Sequence, residues 1–141
     1  MRRWIEFDNE RCIWCRSCEL ICSLHHENEC NPSLSRIRIS LNLFEAEVEA
    51  HICRQCENPR CLNVCPVGAI QMDENAGAYI IIEDKCISCG LCAEACPYNA
   101  DKNVIFFNPA KKTYVKCDLC SGNPQCIDIC PSQALKLSVS R

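Results

Sequence analysis

The chemistry of this chain is concentrated in its cysteines, 17 among 141 residues. Sixteen of them form four tight quartets. Cys86, Cys89, Cys92 and Cys96 are spaced C-x2-C-x2-C-x3-C and are followed by Pro97. Cys12, Cys15, Cys18 and Cys22 repeat that spacing, with Ser23 in place of the proline. Cys53, Cys56, Cys61 and Cys65 run C-x2-C-x4-C-x3-C before Pro66, and Cys117, Cys120, Cys126 and Cys130 run C-x2-C-x5-C-x3-C before Pro131. Three thiolates in so short a run can wrap one corner of a [4Fe–4S] cubane, while the fourth, one helical turn on, points away toward a second cluster. Gly90 eases the turn between two ligands, and Pro97 stops the helix. The spacing predicts four [4Fe–4S] clusters with all sixteen cysteines as metal ligands. Zinc sites are built instead from two separated C-x2-C pairs or with histidine. The C-x3-C-x2-C signature of cluster-based radical chemistry is absent, as are a nucleophile–base constellation and a glycine-rich phosphate loop. No catalytic residue is expected.

The elements that position these quartets are short. Trp4–Phe7 reads as a strand leading into the first quartet, and without a proline after Cys22 a helix is expected to run on through Glu19–His26. Arg36–Leu43 alternates polar and apolar residues as a half-buried strand does, and Phe44–Glu49 alternates too, as its hairpin partner. Ala69–Met72 and Ala78–Ile82 flank the turn 73–77, and Asn103–Phe107 and Thr113–Lys116 flank the turn 108–112. Ala134–Val139 closes the chain as a last strand. The pattern is an internal repeat of a cysteine quartet followed by a hairpin or strand, with no linker or low-complexity tract.

So many cysteines in a short chain usually mean disulfides in a secreted protein. Tight grouping argues against that here, and so does the start of the chain, where Glu6 and Asp8 interrupt any apolar run behind Arg2-Arg3. No stretch is long and apolar enough to span a bilayer. A cytoplasmic protein of a reducing, low-oxygen cell is expected. The formal net charge of -3 omits the clusters. Four oxidised [4Fe–4S] units with their thiolates would take it to about -11, which excludes nucleic acid as a natural partner. Aromatic residues are scarce, at 6%, so folding is expected to depend on the clusters.

Outside the quartets the bland readings come first. His25, His26 and His51 are expected on helix surfaces or at caps, since every quartet is complete without them. Cys30 is expected to be a small, poorly exposed apolar side chain. Ile13, Trp14, Ile87 and Leu119 lie between ligands, where apolar cover lowers the local dielectric. Lys85, Lys102, Lys111, Lys112 and Lys116 are expected on a solvated face. Phe44–Val48 and Val104–Phe107 have apolar residues to spare for a partner.

The run Cys12-Ile-Trp-Cys-Arg-Ser-Cys-Glu-Leu-Ile-Cys-Ser-Leu-His-His26 with Asn31–Ile37 resembles the four-cluster ferredoxin-like subunits of molybdenum and tungsten enzymes, carbon monoxide dehydrogenases, formate dehydrogenases and some hydrogenases. Cys53-Arg-Gln-Cys56, Cys65–Ile70, Lys116–Cys120 and Cys126–Pro131 continue the likeness over nearly the whole chain. It is most similar to the small subunit of tungsten aldehyde oxidoreductases, as a minimal soluble version. The resemblance implies an α+β polyferredoxin domain over 1–141, with an inner two-cluster unit at about 50–100 nested in an outer one from 1–30 and 112–141. It implies four clusters in a line, ligated by Cys12, Cys15, Cys18 and Cys130; by Cys117, Cys120, Cys126 and Cys22; by Cys53, Cys56, Cys61 and Cys96; and by Cys86, Cys89, Cys92 and Cys65. Spacing alone also allows the first quartet to exchange its last cysteine with the second, and the third with the fourth. The implied function is electron transfer between a large catalytic oxidoreductase subunit and a flavin subunit, a soluble ferredoxin or another carrier. A free, diffusing polyferredoxin is the rival.

Anaerobic loading is expected to saturate at about 16 iron and 16 sulfide per chain, a count that Cys30→Ser leaves unchanged. Saturation near eight iron would reject the four-cluster reading.

Overall fold

The computed structural model describes residues 1–140. The described residues form eight short strands and four α-helices, in an α+β fold of the ferredoxin-like kind. In order they are β1 (Arg3–Phe7), α1 (Ser17–Glu27), β2 (Arg38–Asn42), β3 (Glu47–His51), α2 (Arg60–Val64), β4 (Ile70–Asp73), β5 (Ala78–Ile81), α3 (Leu91–Ala95), β6 (Phe106–Asn108), β7 (Thr113–Val115), α4 (Gln125–Ile129) and β8 (Leu135–Val139). Every described sheet is a two-stranded antiparallel ribbon. Three are local hairpins, β2–β3, β4–β5 and β6–β7, and the fourth joins β1 to β8 across nearly the whole chain. Its register runs from Arg3 opposite Val139 to Phe7 opposite Leu135.

Helix length follows from what comes after the last cysteine of each quartet. Cys65, Cys96 and Cys130 precede prolines, which push the preceding residue out of the helical region. All three are extended, with ψ of 113°, 120° and 112°, and each ends a helix of five residues. Cys22 precedes Ser23, which keeps its N–H, so α1 runs on for 11 residues to Glu27. The Ser23 hydroxyl donates back to the Leu20 carbonyl and accepts from the Asn31 amide, tying the loop after α1 onto the helix.

The helices pack in pairs, α1 on α4 and α2 on α3. The core between them is made of aliphatic residues and of the cysteines themselves. Ile5, Ile37, Ile39, Val104, Ile105, Leu119 and Leu135 share it with Cys18, Cys22, Cys53, Cys117 and Cys126. Gly77, at φ +68°, lets the β4–β5 turn meet the start of β1. The Arg3 amide donates to its carbonyl at 2.7 Å, and a Cβ there would stand 2.9 Å from the Met1 carbonyl oxygen.

Two expected hairpins shift. The partner of β2 begins at Glu47 rather than Phe44, because Asn42 folds its side chain back onto the Phe44 and Glu45 amides and makes 43–46 the turn. The last hairpin begins at Phe106, since the Asn99 carboxamide captures the Val104 and Ile105 amides at 2.9 Å each. Val104, Ile105 and Phe106 are buried, so the Val104–Phe107 segment packs inward and only Phe107 is exposed. At the β2–β3 turn the outcome is opposite. Leu43 and Phe44 stand fully in solvent.

Candidate metal centres

Each quartet is shaped by the same unusual backbone conformation. Two residues after its first cysteine, φ is positive: 60° at Trp14, 48° at Gln55, 60° at Ser88 and 55° at Leu119. Non-glycine residues seldom adopt this region. A left-handed residue between right-handed ones turns successive N–H groups inward, a concavity that suits an anion. The Trp14 amide donates to Cys12 Sγ at 3.4 Å and the Gln55 amide to Cys53 Sγ at 3.5 Å. After the second cysteine of the first, third and fourth quartets the left-handed position recurs at Arg16, Gly90 and Ser121. Gly90 also lets Tyr114 approach, since a Cβ would lie 2.9 Å from its hydroxyl.

The fold brings cysteines of different quartets together. One cavity is lined by Cys53, Cys56, Cys61 and Cys96, with Lys116 in its wall. A second is lined by Cys65, Cys86, Cys89 and Cys92. A third is lined by Cys22, Cys117, Cys120 and Cys126, with His26 and Arg36. All three are walled mainly by apolar surface. Cys12, Cys15 and Cys18 lie close enough to interact electrostatically, at the start of α1, whose helix packs on α4. Cys130 ends α4.

The thiols divide by position. Burial pushes Cys18 up to about 12, Cys92 and Cys120 up to about 11, and holds Cys117 and Cys126 well above the ordinary thiol range too. Cys65 and Cys130 fall below the ordinary range, because the amides that follow each proline outweigh burial. Ala69 donates to Cys65 Sγ at 3.3 Å, and Ala134 to Cys130 Sγ at 3.4 Å. Cys22 falls too, since burial is outweighed by His26 and by the Arg36 amide at 3.3 Å. Burial holds the last cysteine of the third quartet, Cys96, above the ordinary range. Thiols pushed this high become anions at neutral pH only against a bound cation, as iron in a cluster provides.

Buried cations complete the picture. Lys116 is 2% exposed, not on a solvated face. Its ammonium lies 3.5 Å from Cys53 Sγ and donates to the Tyr79 carbonyl, and no carboxylate among the described residues pairs with it. An ammonium buried this way needs a negative partner, and a thiolate-held iron–sulfur anion in the adjoining cavity fits it. Gln55, equally buried, bridges the same region by donating to the Cys117 carbonyl at 2.9 Å and accepting from the Tyr79 amide at 2.8 Å. Arg36 donates to the Lys116 carbonyl at 3.2 Å and meets Asp118 at 3.5 Å, Glu27 at 3.9 Å and Glu83 at 4.0 Å. Lys111 closes the network on Glu27 at 3.3 Å and Glu83 at 3.0 Å.

His25 is exposed on α1 as expected, but the other two histidines differ. His26 is no surface residue. It spans Asp118 at 2.9 Å and Cys22 Sγ at 3.7 Å, and although burial opposes its charge, these partners raise it to about 9. His25 crosses its ring edge-on at 5.0 Å, and both place donor atoms within 4.8 Å of Cys120. His51 pairs with Ser40 at 2.9 Å on the β2–β3 hairpin. Cys30 is exposed, because the left-handed cap at Asn28 turns the chain off α1 into solvent. Of the apolar residues between ligands only Leu119 gives buried cover. Ile13, Trp14 and Ile87 are exposed at 62%, 42% and 61%, beside the exposed Cys15 and Cys89. Lys85, Lys102 and Lys112 are solvated as expected.

Comparison with known proteins places these observations. The 4Fe–4S dicluster domain family matches residues 44–140. The polyferredoxin-like subunit of the aliphatic sulfonate oxidoreductase of Pyrococcus furiosus is 43% identical over 92% of this chain and 72% of its own length. The electron transport protein HydN of Escherichia coli is 37% identical over 96% of this chain and 87% of its own length. Among solved structures, a chain of the active-site complex BamBC of benzoyl coenzyme A reductase shares the fold. Its TM-score is 0.56 at 24% identity, over 96% of this chain and 78% of that one. No described helix is long and apolar enough to cross a membrane.

The buried Arg36 network generates a stability test. Arg36→Met removes the cation that Asp118 and Glu27 share, leaving Asp118 to His26 and Glu27 to Lys111, and is expected to cost about 2 kcal/mol, read as a lowered thermal midpoint of the anaerobic, cluster-loaded chain. A midpoint no lower than that of the exposed control Arg60→Met would show that the network contributes nothing.

Proposed function

The chain belongs to the 4Fe–4S dicluster domain family and carries multiple [4Fe–4S] clusters, and from that premise we propose that it is the electron-transfer subunit of an oxidoreductase complex. It conducts single electrons through four clusters between a catalytic subunit and another redox subunit or carrier, and has no catalytic site of its own. The observation that carries this reading is the convergence of cysteines from different quartets on shared apolar cavities. When bound, each cluster takes up and releases one electron at a time. The protein's part is ligation, spacing and the exclusion of water.

The ligand sets we propose are Cys12, Cys15, Cys18 with Cys130; Cys117, Cys120, Cys126 with Cys22; Cys53, Cys56, Cys61 with Cys96; and Cys86, Cys89, Cys92 with Cys65. The cavities support the last three sets. The pairing of β1 with β8, and of α1 with α4, supports the first and the nesting of an inner unit at about 50–100 within an outer one from 1–30 and 112–141. The exposed Ile13 and Trp14 at the first quartet, and Ile87 at the third, support entry and exit of electrons at those two ends. For the catalytic partner we propose a tungsten or molybdenum enzyme of the aldehyde oxidoreductase type. The Cys12–His26 and Asn31–Ile37 runs support it, as does the relative that is itself a subunit of an oxidoreductase. A free polyferredoxin is the second reading, favoured by relatives whose names are simply electron transport proteins.

The ligand sets predict non-additive iron losses. Cys22→Ala with Cys120→Ala is expected to lose about four iron, since both residues serve one cluster, and Cys22→Ala with Cys15→Ala about eight. The reverse pattern would refute the exchange. Anaerobic size-exclusion of material from the native host is expected to place the chain with a large, metal-cofactor-bearing subunit. Elution as a lone 16.0 kDa monomer at low salt would decide for the free carrier.

A further inference from the structure

The charges around the cavities are unevenly balanced. Beside the Cys22, Cys117, Cys120, Cys126 cavity, the Arg36 guanidinium is surrounded by the carboxylates of Asp118, Glu27 and Glu83. Near the first quartet, Arg16 is half exposed and spent on Glu19 at 3.3 Å. Near the third, Lys85 and Lys112 are solvated. Lys116 alone is a fully buried cation with no carboxylate among the described residues to cancel it. Its ammonium touches Cys53 Sγ at 3.5 Å, and its charge opposes the burial that pushes up Cys61 and Cys96 on the same cavity. The Tyr79 carbonyl, itself fixed through the Gln55 bridge to its amide, holds the ammonium in place.

A cation in a water-excluded site interacts far more strongly with added negative charge than one in solvent. Reduction adds one electron to an already anionic cluster. We propose that Lys116 sets the reduction potential of the cluster held by Cys53, Cys56, Cys61 and Cys96, making it the most readily reduced of the four and the point where an electron rests between the outer and inner pairs. The proposal rests on the ligand sets given above. Lys116 is a positioning charge rather than a ligand, and its backbone joins the two units, since the next residue is Cys117.

The test is an anaerobic redox titration of the full cluster-loaded chain, followed by electron paramagnetic resonance, with iron assayed on every sample. Lys116→Met is expected to lower the reduction equilibrium of the highest-potential signal by at least tenfold, about 59 mV for one electron. Lys116→Arg, which keeps the charge, and Lys111→Met, which removes a partly solvated one, are each expected to move it by less than tenfold. Full iron with unshifted potentials in Lys116→Met overturns the role of Lys116 and leaves the ligand sets standing. Wild-type iron far below about 16 per chain breaks the ligand sets themselves. If Lys116→Met sheds a cluster, Cys56→Ser in the otherwise native chain decides. Loss or displacement of the highest-potential signal supports the assignment, and loss of a lower one instead overturns it.

Discussion

Burial raises Cys18 to about 12 and Cys92 and Cys120 to about 11, because an apolar surrounding penalises a sulfur anion. A chain that must hold iron through such sulfurs has to supply positive charge or N–H groups wherever iron alone does not suffice. The left-handed residues at Trp14, Gln55, Ser88 and Leu119 turn amides toward the quartets. The loops after Pro66 and Pro131 aim amides at Cys65 and Cys130, and Lys116 and Arg36 bring full charges inside.

The hydrophobic core around these groups is small. The buried aliphatic residues are few and thinly spread, and cysteines interleave with them on every helix pair. Ribbons of two strands are marginal on their own in water. Here each one joins two quartets or flanks one, so the bound groups fix what the strands cannot. The same scarcity of packing makes each specific polar tie matter. Asn99 donates to the Ala93 carbonyl of α3 and the Ile105 carbonyl, accepts from the Val104 and Ile105 amides, and turns those two residues inward.

The short helices and, in outline, the three local hairpins could be read from spacing because proline and period-two alternation leave local marks. Proline after Cys65, Cys96 and Cys130, and its absence after Cys22, told which helix would run on. What escaped had no local mark. Trp, Gln, Ser and Leu share no chemistry, so their common left-handed backbone is invisible until the quartets are superposed in space. Lys116 looked like any other lysine beside a strand. Only the fold shows that its stem passes inward between β7 and the second quartet. His26 was legible as helical but not as the bridge to Asp118, 92 positions on. The partner of β1 was likewise out of reach, since β8 lies at the other end of the sequence.

The β1–β8 ribbon has a consequence for how the molecule is made. On the ribosome β1 emerges far ahead of its partner, so its hydrogen-bonding edge and the cysteines of α1 wait until α4 and β8 have been made. The segments carrying α2 and α3 are close in sequence and can meet while the rest is still being synthesised. Pairing of α2 with α3 therefore precedes that of α1 with α4, and the β1–β8 ribbon closes only once β8 has emerged. Until then Cys12, Cys15, Cys18 and Cys22 need a reducing, sheltered environment, a demand placed on the cell rather than on the folded chain.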